Sequence, residues 1–442
     1  MRVNRLVTPI NSPANALGAL HYFMIGQFIL QIMLLFPVFG AARVVMRVAS
    51  FAISIAFLFL IPRNGRKHPS VNWAIAVMVI MILEFFFHPD MSTLLAGLAQ
   101  CALYLGIIAP VFWVTRLNIN LKSFYWLILI IWGFHTISSI VGTLQVLYPG
   151  QFQTELSTAI QGSGFGGENL KIVLANGETV FRPQGLTDTP GGAATAGFYA
   201  LLLSAGIAVS QTNLVVRLIC LFSATAGFFC IYLSQVRSIL VVAIICLIAF
   251  FAFLIRQGQL QKVTWLAPVA TGIGLSAFAW AARIGGESTT DRVSTLTAKS
   301  AGEVYYENRG GFLDSTIEWA FTNPLGFGLG RWGPIGGYFG DRFNPMIRPL
   351  WVEIQWTAWL VDGGIPMIIV YVGAILVAMQ AIWSIINRAV KPELIIWGSL
   401  ILAYDVGAMA TTFNYPLFIG QGGMEFWILN IAFYTAATSR HS

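Results

Sequence analysis

Residues 237–256 of this chain read RSILVVAIICLIAFFAFLIR, an apolar run closed at each end by an arginine. An α-helix rises about 1.5 Å per residue, so roughly 20 apolar residues are enough to cross the hydrocarbon core of a bilayer. Charged residues at both ends, with none between them, suit a helix whose termini lie at the two membrane surfaces. The run therefore predicts a transmembrane helix.

The whole chain has the same apolar character. Of its 442 residues, 57% are hydrophobic and 10% are charged, and the mean hydropathy is +0.74. Soluble domains carry about 25% charged residues, and a soluble protein of this size with so little charge would expose large apolar patches to water. The composition excludes a soluble globular protein and predicts an integral membrane protein. A membrane enzyme, a transporter and a channel all remain compatible with it.

Twelve apolar stretches are long enough to be membrane spans. They predict an all-α polytopic membrane protein with one integral membrane domain over residues 1–442. Two longer polar segments, 149–192 and 284–350, interrupt the series. The predicted spans cover residues 18–39, 43–62, 71–88, 92–114, 124–147, 193–210, 217–235, 238–256, 264–283, 363–386, 393–411 and 423–438.

The distribution of Lys and Arg over the short connections predicts the orientation, because basic residues collect on the cytoplasmic side. With the N-terminus inside, both termini are cytoplasmic, and segments 149–192 and 284–350 are extracytoplasmic loops. Ordered loops of this length are uncommon without a function, so we expect a functional site there. The inner connections then hold Arg63, Arg66, Lys67, Arg116, Lys122, Arg217, Arg256, Lys262, Arg388 and Lys391.

Some kinds of site have no support in the sequence. The four cysteines lie inside apolar runs without metal-ligand spacing, and no HExxH motif occurs. We therefore predict no metal and no other cofactor. The formal net charge of +7 is scattered along the chain and forms no basic tract, so we expect no nucleic-acid partner.

Arginines near the extracytoplasmic ends of the spans are the first candidate site residues. Arg237 lies between two apolar runs, so the turn before it must be tight. An arginine at membrane depth costs about 2.5–3.5 kcal/mol on insertion scales and usually faces a polar cavity. Arg237 is therefore either an anion-binding residue or a snorkelling interfacial one. The same alternatives hold for Arg43 and Arg47, and Arg182, in FRPQGLTDTPGG, adds a cation to this face.

The loop at 284–350 is predicted to contain an amphipathic helix and a glycine-rich turn. Apolar residues between 312 and 321 have helical spacing, Arg309 precedes them, and Asn323-Pro324 ends the helix. The glycines of LGFGLG that follow resemble a phosphate-binding loop only superficially, since no Lys-Ser/Thr comes after them. We interpret them as a tight, closely packed turn.

Three acidic residues are candidates for different roles. Glu353 lies among three tryptophans. A carboxylate partly shielded by apolar side chains can serve as a general base, and an ion pair with a nearby arginine is an equal alternative. Asp405 lies within one predicted span and Glu84 toward the end of another. A proton- or ion-coupled transporter would use such acids.

The order of these motifs between residues 181 and 364 resembles the bacterial O-antigen ligase and O-antigen/exopolysaccharide polymerase superfamily. The resemblance implies a GT-C-like fold in the bacterial inner membrane. It also implies metal-independent, inverting glycosyl transfer from a polyprenyl-diphosphate-linked saccharide to an acceptor glycan, with other polysaccharide-assembly membrane proteins as partners. The motifs that carry it are Arg182 with Gly185 and Pro190, Ser234 with Arg237 and Ser238, Arg309, the turn at 323–330, and Glu353.

The resemblance also assigns roles to individual residues. Arg237 and Arg309 match arginines that hold the diphosphate, and Glu353 occupies the place where ligases of the family carry a histidine. This difference favours a polymerase, with Glu353, Arg309 and Arg237 as the catalytic residues. The expected substrate-binding residues are Arg182, Arg43 and Arg47.

Two alternative functions remain open at this stage. One is a ligase that transfers a finished glycan to a lipid or protein acceptor. The other is a 12-span secondary transporter that uses Asp405 and Glu84.

Overall fold

The structure, a computed structural model, describes residues 18–62, 67–154, 170–341 and 349–439. Helices make up nearly all of its regular structure, with a single two-stranded sheet among the described residues. In chain order the α-helices are α1 (Ala19–Met33), α2 (Arg43–Leu60), α3 (Val71–Phe87), α4 (Leu94–Ile108), α5 (Pro110–Trp113), α6 (Leu121–Leu147), α7 (Pro149–Phe152), α8 (Gly192–Ser210), α9 (Leu214–Ser234), α10 (Arg237–Arg256), α11 (Leu260–Ala298), α12 (Ala301–Tyr305), α13 (Gly311–Thr322), α14 (Gly333–Phe339), α15 (Gln355–Arg388), α16 (Pro392–Thr411) and α17 (Gln421–Thr438).

The prediction of an all-α membrane protein agrees with this architecture. Within the described ranges, nine helices are long and apolar enough to cross a membrane: α2, α4 with its continuation to Arg116, α6, α8, α9, α10, α11, α15 and α16. The other three predicted spans fall on α1 and α3, which are apolar but only 15 and 17 residues long, and on α17, whose Glu425 and Asn430 lower its hydropathy. The count of twelve and the GT-C-like topology stay predictions.

Helix α8 lies at the centre of the bundle, and nearly all of its side chains are buried. Its sequence, GAATAGFYALLLSAGIAVS, is rich in small residues, which lets neighbouring backbones approach closely. A Cβ at Gly197 would lie 2.6 Å from the carbonyl oxygen of Gly227 on α9, and a Cβ at Gly227 would lie 2.5 Å from that of Gly197. This pair of glycines sets the close packing of α8 against α9.

The polar segment that begins at residue 284 differs from its predicted form. Helix α11 continues for 39 residues to Ala298, with one break at Gly286, whose φ of 58° is in the left-handed region. The apolar run ends where predicted, but the polar residues after it keep helical geometry. Hydropathy therefore marked the end of the apolar run and not the end of the helix. Residues 287–298 are called here the distal part of α11.

A β-hairpin in the segment 149–192 is an element that the sequence analysis missed. Strands β1 (Lys171–Val173) and β2 (Thr179–Phe181) pair antiparallel. The connection contains Asn176-Gly177, and Gly177 has a φ of 80°; this dipeptide between β-formers is a strong hairpin signal. At the tip, the Ala175 N–H donates to the Ile284 carbonyl at 3.0 Å. The hairpin thus rests on α11 beside its break.

The helix and turn predicted in the large loop are confirmed. The predicted helix at 312–321 is α13, which ends at Thr322 just before Asn323-Pro324. Gly326, Gly328 and Gly330 have φ values of 99°, 88° and 74°, and a Cβ on any of them would lie within 3 Å of another element. Only glycine fits such a turn, which packs against the start of α4 and against α15.

Candidate anion-binding site

Arg237 is held by a tight turn and by the distal part of α11. Gln235, between α9 and α10, has a φ of 54° and is the one non-glycine residue with positive φ among those described. Its Nε2 donates to the hydroxyls of Ser288 and Thr289. Arg237 then begins α10, and its Nη1 donates to Thr295 Oγ1 at 2.7 Å. The tight turn predicted before Arg237 is confirmed, and the turn fixes this guanidinium against α11.

Arg182 follows strand β2 directly, so the hairpin determines where its side chain lies. Its backbone N–H donates to the Leu170 carbonyl at 2.7 Å. The side chain is half-buried, and its Nε has no hydrogen-bond partner among the described residues. Burial lowers the pKa of Arg182 from its ordinary value, and the charges of Arg292 and Arg237 lower it further. An arginine still stays protonated at neutral pH. Arg182 therefore brings a positive charge near Arg237 and Arg292, and its Nε–H has no acceptor among the described residues.

Arg292, on the distal part of α11, is a site residue that the sequence analysis missed. It lines one cleft with Arg237, Gln235 and Thr289. Its spacing of three from Thr289 and from Thr295 places these residues near one helix face. A prediction of helix over residues 287–298 would have placed Arg292 on the face that carries Thr289 and Thr295, the partners of Gln235 and Arg237.

Arg182, Arg237 and Arg292 are called here the arginine cluster. Their charges influence one another, and no salt bridge within the described ranges joins any of them to a carboxylate. The carboxylate of Glu307 acts on Arg237 without forming a salt bridge with it. Like charges held together with few counter-charges raise the local positive potential and attract anions. The cluster is therefore suited to bind an anion with several oxygen atoms.

Arg309 and Glu353 form an ion pair next to this cluster. Arg309 lies in a π-helical turn, Tyr306–Gly310, directly before α13, and Glu353 lies two residues before α15. The second carboxylate oxygen of Glu353 accepts from Trp351 Nε1 at 2.8 Å. The ion pair is one of the two arrangements that the sequence left open for Glu353. Each carboxylate oxygen can accept more than one hydrogen bond, so Glu353 can still accept from a further hydroxyl.

Asn308 connects the ion pair to the arginine cluster. Its side-chain oxygen accepts from Arg237 Nη2 at 3.3 Å, and its neighbour Arg309 pairs with Glu353. The π-helical turn therefore links the three residues predicted to be catalytic, since Asn308 bonds to Arg237 and Arg309 pairs with Glu353. They come from three separate elements, α10, the π-helical turn and the segment before α15.

Arg43 and Arg47 have a different environment. Both face Asp188 in the segment before α8: Arg43 Nε lies 3.9 Å from Asp188 Oδ2, and Arg47 forms a closer ion pair with the same oxygen. In the part of the chain described, neither forms a hydrogen bond or an ion pair with the arginine cluster. Their described contacts anchor the segment around Asp188 to α2, and substrate binding by Arg43 and Arg47 stays a prediction.

The acids considered for a transporter have different partners. Asp405, on α16, accepts from Asn430 Nδ2 at 2.7 Å, whereas Glu84, on α3, lies 4.0 Å from His88. Another acid, Asp362, is fully buried and was not singled out from the sequence. It accepts a hydrogen bond from Trp332 Nε1 at 2.8 Å, and this bond attaches the loop at 284–350 to α15.

The site offers arginines and one paired carboxylate. Across residues 18–62, 67–154, 170–341 and 349–439, no three His, Cys, Asp or Glu side chains converge as metal ligands do.

No family model matches this chain, and no curated protein sequence matches it. The family resemblance rests on the motifs quoted above, and the helices and the arginine cluster establish a membrane protein with a candidate anion-binding site.

Proposed function

We propose that this protein is a membrane glycosyltransferase that lengthens polyprenyl-diphosphate-linked oligosaccharides at the outer leaflet of a bacterial inner membrane. The observation that carries the proposal is the arginine cluster, three cations without carboxylate partners in the described ranges, beside the Arg309–Glu353 ion pair. The motif order that resembles the O-antigen ligase and polymerase superfamily supports the same reading.

The diphosphate of the donor accounts for the arginine cluster. Its departure from the anomeric carbon leaves negative charge on a phosphate oxygen, and fixed positive charge at that place lowers the barrier. Two opposite charges 4 Å apart attract by about 4 kcal/mol at an effective dielectric of about 20. Arginine adds bidentate hydrogen bonds to phosphate oxygens. The unsatisfied Nε of Arg182 is one donor available for this purpose.

Glu353 supplies the base in this mechanism. The hydroxyl oxygen of the acceptor sugar attacks the anomeric carbon of the donor, and its proton passes to Glu353. The bond from the anomeric carbon to the diphosphate oxygen breaks, and its electron pair leaves with that oxygen. One displacement inverts the anomeric configuration. Arg309 holds Glu353 in place through the ion pair and adds positive charge near the leaving group.

The test uses the purified full chain in nanodiscs, supplied with a polyprenyl-diphosphate-linked repeat alone. We expect products with more than one repeat, resolved by gel or mass spectrometry. R237A should lower the rate by about 10²–10³, the usual effect of losing one transition-state donor. R256A is the matched control, because Arg256 ends the helix that Arg237 begins. Elongation by a folded R237A protein at the wild-type rate would refute the mechanism.

The alternatives give different results in the same preparation. A ligase does not lengthen the lipid-linked repeat and needs a separate acceptor. A transporter moves a solute across proteoliposomes and leaves the repeat unchanged.

A further inference from the structure

Asp405 lies inside the helical bundle, and among the described residues no positively charged side chain pairs with it. Its side chain and that of Asn430 on α17 are both fully buried, with 0% exposure. Asn430 Nδ2 donates to Asp405 Oδ1 at 2.7 Å and to the Phe426 carbonyl at 3.0 Å. These contacts join α16 to α17 through a carboxyl group and an amide.

Two oxygen atoms of this pair lack partners. Neither Asp405 Oδ2 nor Asn430 Oδ1 has a hydrogen-bond donor within the described ranges. Both atoms only accept hydrogen bonds if Asp405 is ionised. A buried carboxylate held by a single neutral donor is very unfavourable in a low-dielectric interior, and such a group usually becomes neutral.

We propose that Asp405 is an intramembrane proton-binding site, with Asn430 as its partner. A proton on Asp405 Oδ2 turns that oxygen into a donor, and Asn430 Oδ1 is the acceptor left over on the same partner. Together with the bond from Asn430 Nδ2 to Asp405 Oδ1, it completes an acid–amide pair with two hydrogen bonds. One proton therefore accounts for both unpartnered oxygens. The site is independent of the proposed glycosyl transfer.

Among the described residues, no cation acts on Asp405. The titratable groups on which Asp405 itself acts are Tyr404, beside it on α16, and Cys246 on α10. The hydroxyl of Tyr404 bonds to that of Tyr199 at 2.8 Å. Glu425, on α17, also influences Tyr404 and Tyr199 and accepts from Gln421 Nε2 at 3.2 Å.

Asp362 provides a contrast within the same bundle. It is also fully buried, but both of its oxygens accept hydrogen bonds. Gln100 Nε2 and Tyr104 Oη donate to Oδ2 at 2.9 Å each, and Trp332 Nε1 donates to Oδ1 at 2.8 Å. Three donors around one carboxyl group stabilise the carboxylate. The two buried aspartates of this bundle therefore differ in hydrogen bonding, since both oxygens of Asp362 have donors and Oδ2 of Asp405 has none among the described residues.

The experiment compares D405N with D362N in the full chain, purified in nanodiscs at neutral pH. Infrared spectroscopy measures the carbonyl stretch of protonated carboxyl groups, and thermal unfolding measures stability. We expect the wild-type band to lose intensity in D405N, whatever part of the band Asp362 contributes. We also expect D405N to unfold within a few degrees of wild type, since the introduced amide keeps both hydrogen bonds. D362N should unfold at a clearly lower temperature. Gln100, Tyr104 and Trp332 all donate to Asp362, and the NH2 group of an asparagine there would face at least one of these donors.

A second variant, N430L, removes the amide while leaving Asp405. The band assigned to Asp405 should then move to higher frequency, because the acid loses its hydrogen-bonded partner. The proposal is overturned if D405N leaves the carboxyl band unchanged. It is also overturned if D405N destabilises the protein as much as D362N does.

Discussion

Asn308 accepts a hydrogen bond from Arg237 across 3.3 Å, and this contact joins two regions that are 71 residues apart in sequence. The next residue, Arg309, pairs with Glu353. Two consecutive residues of the π-helical turn therefore connect the start of α10 with the segment before α15. Single-turn π-helical insertions are frequent at functional sites, and here the insertion places two polar side chains toward two different partners.

The first prediction concerns the Arg309–Glu353 ion pair. Because both side chains are partly exposed, at 36% and 24%, the pair should contribute only about 0–1 kcal/mol to the free energy of unfolding. R309A and E353Q should therefore melt close to wild type while elongation falls by more than tenfold. Melting curves and elongation rates of both variants and of the double variant test this. A loss of stability that parallels the loss of activity would assign the pair a structural role only.

The second prediction concerns Arg292. If it contributes charged hydrogen bonds to the diphosphate, each worth about 1.5–3 kcal/mol, R292A should lower kcat/KM for the lipid-linked donor by roughly tenfold to a hundredfold. Arg283 is the matched control, because it is an exposed arginine on the same helix. Equal effects of R292A and R283A would remove Arg292 from the site.

The third prediction uses pH. Burial and the charges of Arg292 and Arg237 lower the pKa of Arg182, and the same surroundings should lower that of a lysine below its ordinary value of about 10.4. R182K should bind the donor at neutral pH, where the lysine is charged, and lose binding as the pH rises through the lowered pKa. The wild type keeps its charge over that range. Donor binding measured against pH for both proteins tests this, and parallel profiles would contradict it.

The fourth prediction concerns the break in α15. Gly364 has a φ of 63°, and a Cβ there would lie 2.1 Å from the Pro324 carbonyl oxygen. G364A adds left-handed backbone strain of about 1–2 kcal/mol and overpacking of about 1–3 kcal/mol, so it should lower the unfolding temperature markedly. Gly302 is the control, since a Cβ there meets no atom within 4 Å. A G364A protein as stable as G302A would show that α15 can straighten without cost.

The sequence predicted those site residues whose setting is formed by their neighbours in the chain. Arg237 stands between two apolar runs and Arg309 precedes an amphipathic helix, so each was recognisable from its neighbours. Arg292 and Asp362 were missed because their partners come from distant segments: the arginine cluster gathers β2, α10 and α11, and Asp362 is surrounded by α4 and the large loop. Which oxygen lacks a donor, as in Asp405, depends on tertiary packing and has no signature in one sequence.

The break at Gly286 determines where Arg292 lies relative to the start of α10. Helix α10, with 20 residues, is about 30 Å long, close to the thickness of the hydrocarbon core, whereas the 39 residues of α11 would reach about 58 Å if straight. Yet Thr289 and Thr295 bond to Gln235 and Arg237 at the very start of α10. The distal part of α11 therefore turns aside at Gly286 and lies against the start of α10 instead of continuing along the helix axis. In the proposed function, a lipid-linked diphosphate held by the arginine cluster would lie beside the ends of the apolar helices, so its hydrocarbon chain could remain in lipid.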